Sequence, residues 1–251
     1  MVKKILLLIV LCGYGINLMA QSVEDLEKKA QQLLKVRKEA EALNQYKEIL
    51  KLKPTYQSAL VAASMLSARD GDRKSEKDDR IQYYTAARDY AQTALQQNSS
   101  DAQANFALAF ALSKLSAELG TKEKVAAYRD MKKYVDLALK FDTAYAEAYH
   151  LLGKWNYMLV NMNRVEKAAA KVLFGGVPNA GVEAAIVNYR KCLQLKPSYI
   201  INYYDLGIAL RSIGQETEAM EILGKATGLR PIYQEDVQIR VNCRKVLDEM
   251  Q

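Results

Sequence analysis

Few residues in this chain could do covalent chemistry. There is one histidine, His150, and there are three cysteines, Cys12, Cys192 and Cys243. No HExxH, CxxC, GxSxG or phosphate-loop pattern occurs. A single histidine with scattered thiols cannot supply the three or four ligands of a typical zinc site, so no metal and no cofactor is expected. The neighbouring carboxylates Asp78 and Asp79 lie in a charged stretch, where solvation and not acid–base catalysis is the ordinary role. Gly175-Gly176 precedes Pro178 and marks a helix stop. What remains is the chemistry of adhesion. Phe106 and Phe110, then His150, Lys154 and Tyr157, then Tyr204, Ile208 and Arg211 recur at helical spacings of three or four residues. Such sets give apolar contact with a few cations to orient an anionic group. Together they form the candidate partner-binding surface, and no catalytic residue is assigned.

The elements that carry these residues follow from a 34-residue window, 200–233. Its fourth residue is Tyr203 and its seventh and eighth are Leu206 and Gly207. Its twentieth is Ala219, its twenty-seventh Ala226 and its thirty-second Pro231. This is close to the whole consensus of a tetratricopeptide repeat. Large residues fill the seam between two antiparallel helices, small ones let the helices approach, and proline sets the turn. A Leu-x-x-x-Pro-x-Tyr turn recurs at Leu50–Tyr56 and Leu193–Tyr199, with degenerate copies at Leu139–Tyr145 and Leu95–Asp101. The register therefore falls at 54, 99, 143, 197 and 231, and only the last step has the standard length.

The expected fold is all-α: a right-handed tetratricopeptide superhelix of five helical hairpins, 23–56, 57–101, 102–145, 146–199 and 200–233. A cap helix over 234–250 closes it, with Val237, Val241 and Leu247 as its apolar side. The fourth repeat carries an insertion, 161–181, in which Val165, Ala168, Ala169, Val172 and Leu173 share a helical face. Two placements are open to it: a lid over one end of the concave groove, or an extension of the hairpin. The first helix of each hairpin lines that groove, which places the eight candidate residues there. Whether each faces the groove or packs within its hairpin is left open by the pattern.

The N-terminus pairs Lys3-Lys4 with an apolar run from Ile5 to Leu18, then Met19-Ala20. This predicts a secretory signal peptide over 1–20, cleaved after Ala20, and places the protein in a bacterial periplasm. The run is short of the roughly 20 residues that span a bilayer. An uncleaved membrane anchor is the alternative. The formal charge of +7 for the full chain is spread through helices of mixed sign, without a basic stripe, so nucleic acid is not an expected partner. Cys192 and Cys243 are separated by a hairpin and read as buried free thiols, with a disulfide as the less favoured alternative.

One stretch resembles a known family. Leu152-Gly153-Lys154-Trp155 with Tyr157, Val165-Glu166-Lys167 through Ala169, Leu173-Phe174-Gly175 with Pro178, Ala184 to Tyr189, Leu195 with Pro197, and Leu206-Gly207 are similar to the regulator of microtubule dynamics family. The likeness covers roughly 102–250 and includes the insertion. It implies a non-enzymatic repeat domain that binds partners. Some members associate with microtubules, and one is implicated in organelle contacts and phospholipid binding. A secretion signal departs from that pattern. The expected function is thus an exported, non-catalytic adaptor that holds a protein or peptide partner in its concave groove, with a carrier of phospholipid or another apolar ligand as the alternative.

Overall fold

A computed structural model describes residues 22–176 and 180–250; the expected leader, its cleavage point and Pro178 lie outside these. Twelve helices and no strand occur among the described residues. They are α1 (22–35), α2 (Glu39–Leu52), α3 (Gln57–Asp72), α4 (Lys77–Gln97), α5 (Ala102–Ser116) and α6 (Thr121–Phe141), followed by α7 (Ala146–Val160), α8 (Arg164–Phe174), α9 (Val182–Leu195), α10 (Ile200–Ser212), α11 (Glu216–Gly228) and α12 (Asp236–Glu249). Helices pair as antiparallel hairpins, α1 with α2, α3 with α4, α5 with α6, α7 with α9 across the inserted α8, and α10 with α11. The fold is an all-α tetratricopeptide-like solenoid.

Small residues set the spacing. Ala30, Ala42, Ala59, Ala63, Ala87, Ala91, Ala94, Ala138, Ala219 and Ala226 are all fully buried in the seams. The recurring turn has a plain physical logic. Pro54 and Pro197 follow helices they cannot continue, and Tyr56, Tyr145 and Tyr199 stand at the N-cap positions of α3, α7 and α10 in extended backbone. Their rings close the corner: Tyr199 is buried, and the Tyr56 hydroxyl donates to Glu27 Oε2 at 2.8 Å. Buried Asn202 ties α10 to the preceding helix by donating to the Tyr189 carbonyl at 2.9 Å.

The insertion folds as α8, a helix of its own. Asn163 caps it and accepts from Glu166 N at 2.9 Å, while Glu166 Oε2 accepts from Asn163 N at 2.9 Å. Gly175, at φ 78°, ends it in the left-handed region. Its inner face is Glu166, Ala169, Ala170 and Leu173, and Glu166 is anchored to Lys124 of α6 at 2.7 Å. Val165 and Val172, which the sequence places on one helical face with Ala168, Ala169 and Leu173, are 66% and 85% exposed. The capping box and the Lys124 pair fix the rotation of α8 and turn those valines outward. The cap helix also differs. It buries Asp236, Ile239, Cys243 and Val246, spaced 3, 4 and 3, and leaves Val237 and Val241 exposed.

The two ends of the array meet. The segment between α11 and α12 crosses to the first two hairpins. Gln234 N donates to Glu39 Oε1 at 3.3 Å, Arg69 Nε lies 3.6 Å from Glu235 Oε1, and the Arg69 guanidinium sits 3.9 Å from the centre of the Tyr233 ring. Arg73 Nη1 donates to Glu39 Oε2 at 3.1 Å. This clasp closes one side of the concave surface with the protein's own chain.

Candidate functional site

Helix α7 carries the site because its two faces line two different hollows. Its amphipathic pattern, AEAYHLLGKWNYMLV, has no purely polar side, as expected of a helix covered on both faces. Gly153 lets it approach α9: a Cβ there would stand 2.6 Å from Tyr189 Cε1 and 3.1 Å from the Ala185 carbonyl oxygen.

The outer hollow lies between α6 and α9, with α7 as its floor and α8 as a wall. It is a cavity of about 580 Å³. Val125 and Tyr128 of α6, Trp155 and Leu159 of α7, and Met162 and Ala170 form its apolar body. Trp155 is held by a hydrogen bond from Nε1 to the Tyr128 carbonyl at 2.8 Å. Asn156 and Asn188 each spend an amide N–H on a helix carbonyl four residues back, at 2.9 and 2.7 Å. Lys132 lies over the Trp155 ring at 5.3 Å and pairs with Asp136. A pocket of this size with apolar walls and a few polar groups is the ordinary form of a binding site. It exists because α8 packs on α6 and so stands between the second helices of the third and fourth hairpins, which neighbour each other in an uninterrupted array.

The inner hollow is smaller, about 220 Å³, and polar. Arg69, Asp72, Phe110, Lys114, His150, Lys154, Tyr199 and Glu235 are among its lining. Lys114 Nζ pairs with Asp72 Oδ2 at 2.5 Å, and Asp72 also accepts from the Tyr84 hydroxyl. His150 Nε2 and Asp205 Oδ2 are 2.8 Å apart, joining α7 to α10. Burial works against the Asp205 carboxylate, but the His150 hydrogen bond and charge outweigh it and hold the group below the usual aspartate value. Burial, reinforced by the Lys114 charge, holds the Lys154 ammonium below the ordinary lysine value. Tyr199 is raised well above 10 by burial and stacks edge-on with both His150 and Tyr233. Lys196 pairs with Glu147 and donates to the Tyr233 hydroxyl at 3.0 Å.

The eight candidate residues divide accordingly. Phe110, His150 and Lys154 line the inner hollow. Phe106 is inside the core, 2% exposed, with its ring centre 4.8 Å from that of Tyr145. Tyr204 and Ile208 are covered by Ile239, Cys243 and Val246 of α12, and Arg211 pairs with Glu249 of the same helix at 3.2 Å. Tyr157 is half-buried against the cluster of α9 and α10. The cap helix therefore takes the surface that the repeat register assigns to a partner at the fifth hairpin. The outer cavity carried no warning in the sequence beyond the inserted helix itself.

Cys192 and Cys243 are both free, and burial pushes Cys192 up to about 12 and Cys243 to about 11. Neither thiol is ionised near neutrality, so neither is poised as a nucleophile. Among the described residues no helix is long and apolar enough to cross a membrane.

Comparisons agree with the architecture. A thermophilic TPR protein of Thermus thermophilus superposes with a TM-score of 0.68 at 15% identity, covering 90% of this chain and 98% of that one. Pseudomonas aeruginosa pilF superposes with a TM-score of 0.55 at 13% identity, covering 92% and 86%. At these identities the likeness is one of fold. In sequence, regulator of microtubule dynamics protein 1 of Mus musculus is 28% identical over 176 residues, covering 70% of this chain and 57% of that protein. The Caenorhabditis elegans protein of the same name is 27% identical over 132 residues, covering 53% and 58%. The chain thus spans somewhat more than half the length of these curated relatives. With the family model matched over residues 26–251, the chain belongs to the family of regulator of microtubule dynamics proteins 1-3.

Proposed function

We propose that this protein is an exported, non-catalytic scaffold that holds a protein partner by seating an apolar side chain of that partner in the cavity between α6, α7, α8 and α9. The observation that carries this reading is the cavity itself. It combines about 580 Å³ of volume with walls of Tyr128, Trp155, Leu159 and Met162, and large aromatic and apolar pockets are where binding energy concentrates. The tetratricopeptide-like fold supports it as a scaffold that displays surfaces. The names of the relatives point to microtubules, whereas the Lys3-Lys4 leader points out of the cytoplasm, so only partner binding is carried over. Export itself is tested by N-terminal sequencing of the protein from fractionated cells. A mature terminus at Gln21 is expected, and an intact Met1 in the membrane fraction means an anchor instead.

The binding test fills the hollow from its rim. Ala184 lines the cavity, and Ala184→Trp places an indole inside it. A photo-reactive residue at Asn188, one turn along the same α9 face, reports what enters. In the parent we expect one dominant cross-linked protein and, with that protein purified, an affinity at least about tenfold weaker for Ala184→Trp, the loss of about 1.4 kcal/mol from one apolar anchor. Unchanged affinity in a folded Ala184→Trp variant overturns the site. The size of the cavity also favours a second reading, an apolar small molecule such as a lipid acyl chain. Native mass spectrometry separates the two: a co-purifying lipid that is lost on Ala184→Trp supports the carrier, and a bare parent mass counts against it.

A further inference from the structure

The inner hollow presents a charge that the protein does not neutralise by contact. Four cationic or potentially cationic groups line it. Arg69 is occupied by Glu39, Glu235 and the Tyr233 ring, Lys114 by Asp72, and His150 by Asp205. Lys154 forms no ion pair or hydrogen bond among the described residues, although it lines the same cavity. The acids whose charge reaches it, Asp205 and Asp72, are already engaged with His150 and Lys114. A cation held in an enclosed place without a contacting anion costs stability, and such costs persist where a ligand supplies the complement. Around Lys154 stand further groups suited to an oxyanion: the Lys114 ammonium, the Ser113 hydroxyl and the phenol of Tyr199, which burial keeps protonated as a donor.

We propose that the cavity bounded by Phe110, Lys114, His150, Lys154, Tyr199 and Glu235 is a binding site for a small free oxyanion of the carboxylate or phosphate class, with Lys154 as its principal counter-charge. This goes beyond the scaffold reading and does not depend on the outer cavity. The volume decides between a small ion and a chain. About 220 Å³ is room for a small ion with its bound waters, and the clasp formed by Tyr233 and Glu235 closes one side. The bound anion would join α5, α7 and α10 to the clasp, since these supply the lining, and so couple the middle of the array to its closed ends.

The test uses the full mature chain in a non-coordinating buffer. Inorganic phosphate and succinate are titrated in turn against sodium chloride of matched ionic strength, with melting temperature and calorimetric heat as readouts. At least one oxyanion should raise the melting temperature in a saturable way that chloride does not reproduce. Lys154→Met should weaken that binding at least about tenfold, and Lys154→Arg should retain most of it. Without oxyanion, Lys154→Met should melt at or above the parent, because it removes an uncompensated charge. The proposal is overturned if neither oxyanion differs from chloride, or if Lys154→Met binds as the parent does. A lower melting temperature for Lys154→Met without ligand also overturns it, since that would mark Lys154 as a structural cation. Which of phosphate and succinate binds more tightly identifies the class of the natural ion.

Discussion

Arg69→Ala should destabilise the protein by about 3 kcal/mol and open the clasp between its two ends. Arg69 lies between Glu39 Oε1, at 3.8 Å, and Glu235 Oε1, at 3.6 Å, with the Tyr233 ring beneath it. Its side chain keeps 12% exposure, and that of Glu39 only 3%. Removing one partner of a buried pair costs about 3–5 kcal/mol because the other charge is stranded, and a cation–π contact adds from about 0.5 kcal/mol upward with its desolvation. The lower end applies here, since Arg73 still holds Glu39 at 3.1 Å. The pH dependence has a definite sign. Burial raises the Glu235 carboxyl above the ordinary glutamate value, against the pull of Arg69. Without Arg69 that rise is larger. A carboxyl raised on folding stabilises the folded state below its unfolded value and loses that contribution as pH climbs through the folded value. The deficit of the variant relative to the parent should therefore be smaller near pH 5 than near pH 8. Urea denaturation followed by Trp155 fluorescence measures the stability, and small-angle scattering measures the opening as a larger radius of gyration. A variant with parental stability and dimensions would show that the clasp contributes nothing.

The clasp is also the feature that no local pattern announces. Glu39 and Gln234 are 195 positions apart, and nothing near either residue marks the other as its partner. The hairpins are the opposite case. Gly207, Ala219 and Ala226 are legible because two helices in contact require small residues at fixed intervals, and both alanines are fully buried. The candidate surface is legible only in part. Phe110, His150 and Lys154 line one hollow, because all three lie on first helices of adjacent hairpins. Register alone knows nothing of what covers a helix next. Tyr204, Ile208 and Arg211 meet α12, and Phe106 is taken into the core by Tyr145. The faces of α8 and α12 are set by contacts outside their own sequence, Lys124 in one case and the α10–α11 seam in the other. The outer cavity is a consequence of where α8 packs, and a space between elements has no residues of its own to read.

These observations give α7 a mechanical role. Its His150 is tied to α10 through Asp205, its Trp155 to α6 through the Tyr128 carbonyl, and its Gly153 is pressed on Tyr189 of α9. Anything that displaces α7 to fill the outer cavity must therefore act on the inner one as well. A ligand in one hollow is expected to alter affinity in the other by the same factor in both directions, as linkage requires.

Gly207→Leu should unfold the last hairpin. A Cβ at 207 would stand 2.6 Å from Leu223 Cγ and 2.7 Å from Cδ2. Leucine adds three more carbons in the same direction. Leu223 cannot withdraw, since it is fully buried and packed in one cluster with Tyr203, Ala226, Ile239 and Cys243. Replacing a mid-helix glycine gains about 1 kcal/mol of helix propensity. Overpacking a tight core costs about 1–3 kcal/mol and more when backbone must move. Here the contact is with the middle of a fully buried side chain, so the steric cost reaches the top of that range or beyond and a net loss of at least about 2 kcal/mol is expected. The damage should travel. The clasp segment lies between α11 and α12, so separating α10 from α11 should also release Gln234 from Glu39, and hydrogen exchange should quicken in residues 200–250 and at the start of α2. Leu223→Ala makes room where Gly207→Leu takes it. The double variant should therefore be more stable than the sum of the two single losses, by roughly 1 kcal/mol. Strict additivity in urea denaturation would place the cause of the loss somewhere other than the Gly207–Leu223 contact, and with it the repeat register that this contact defines.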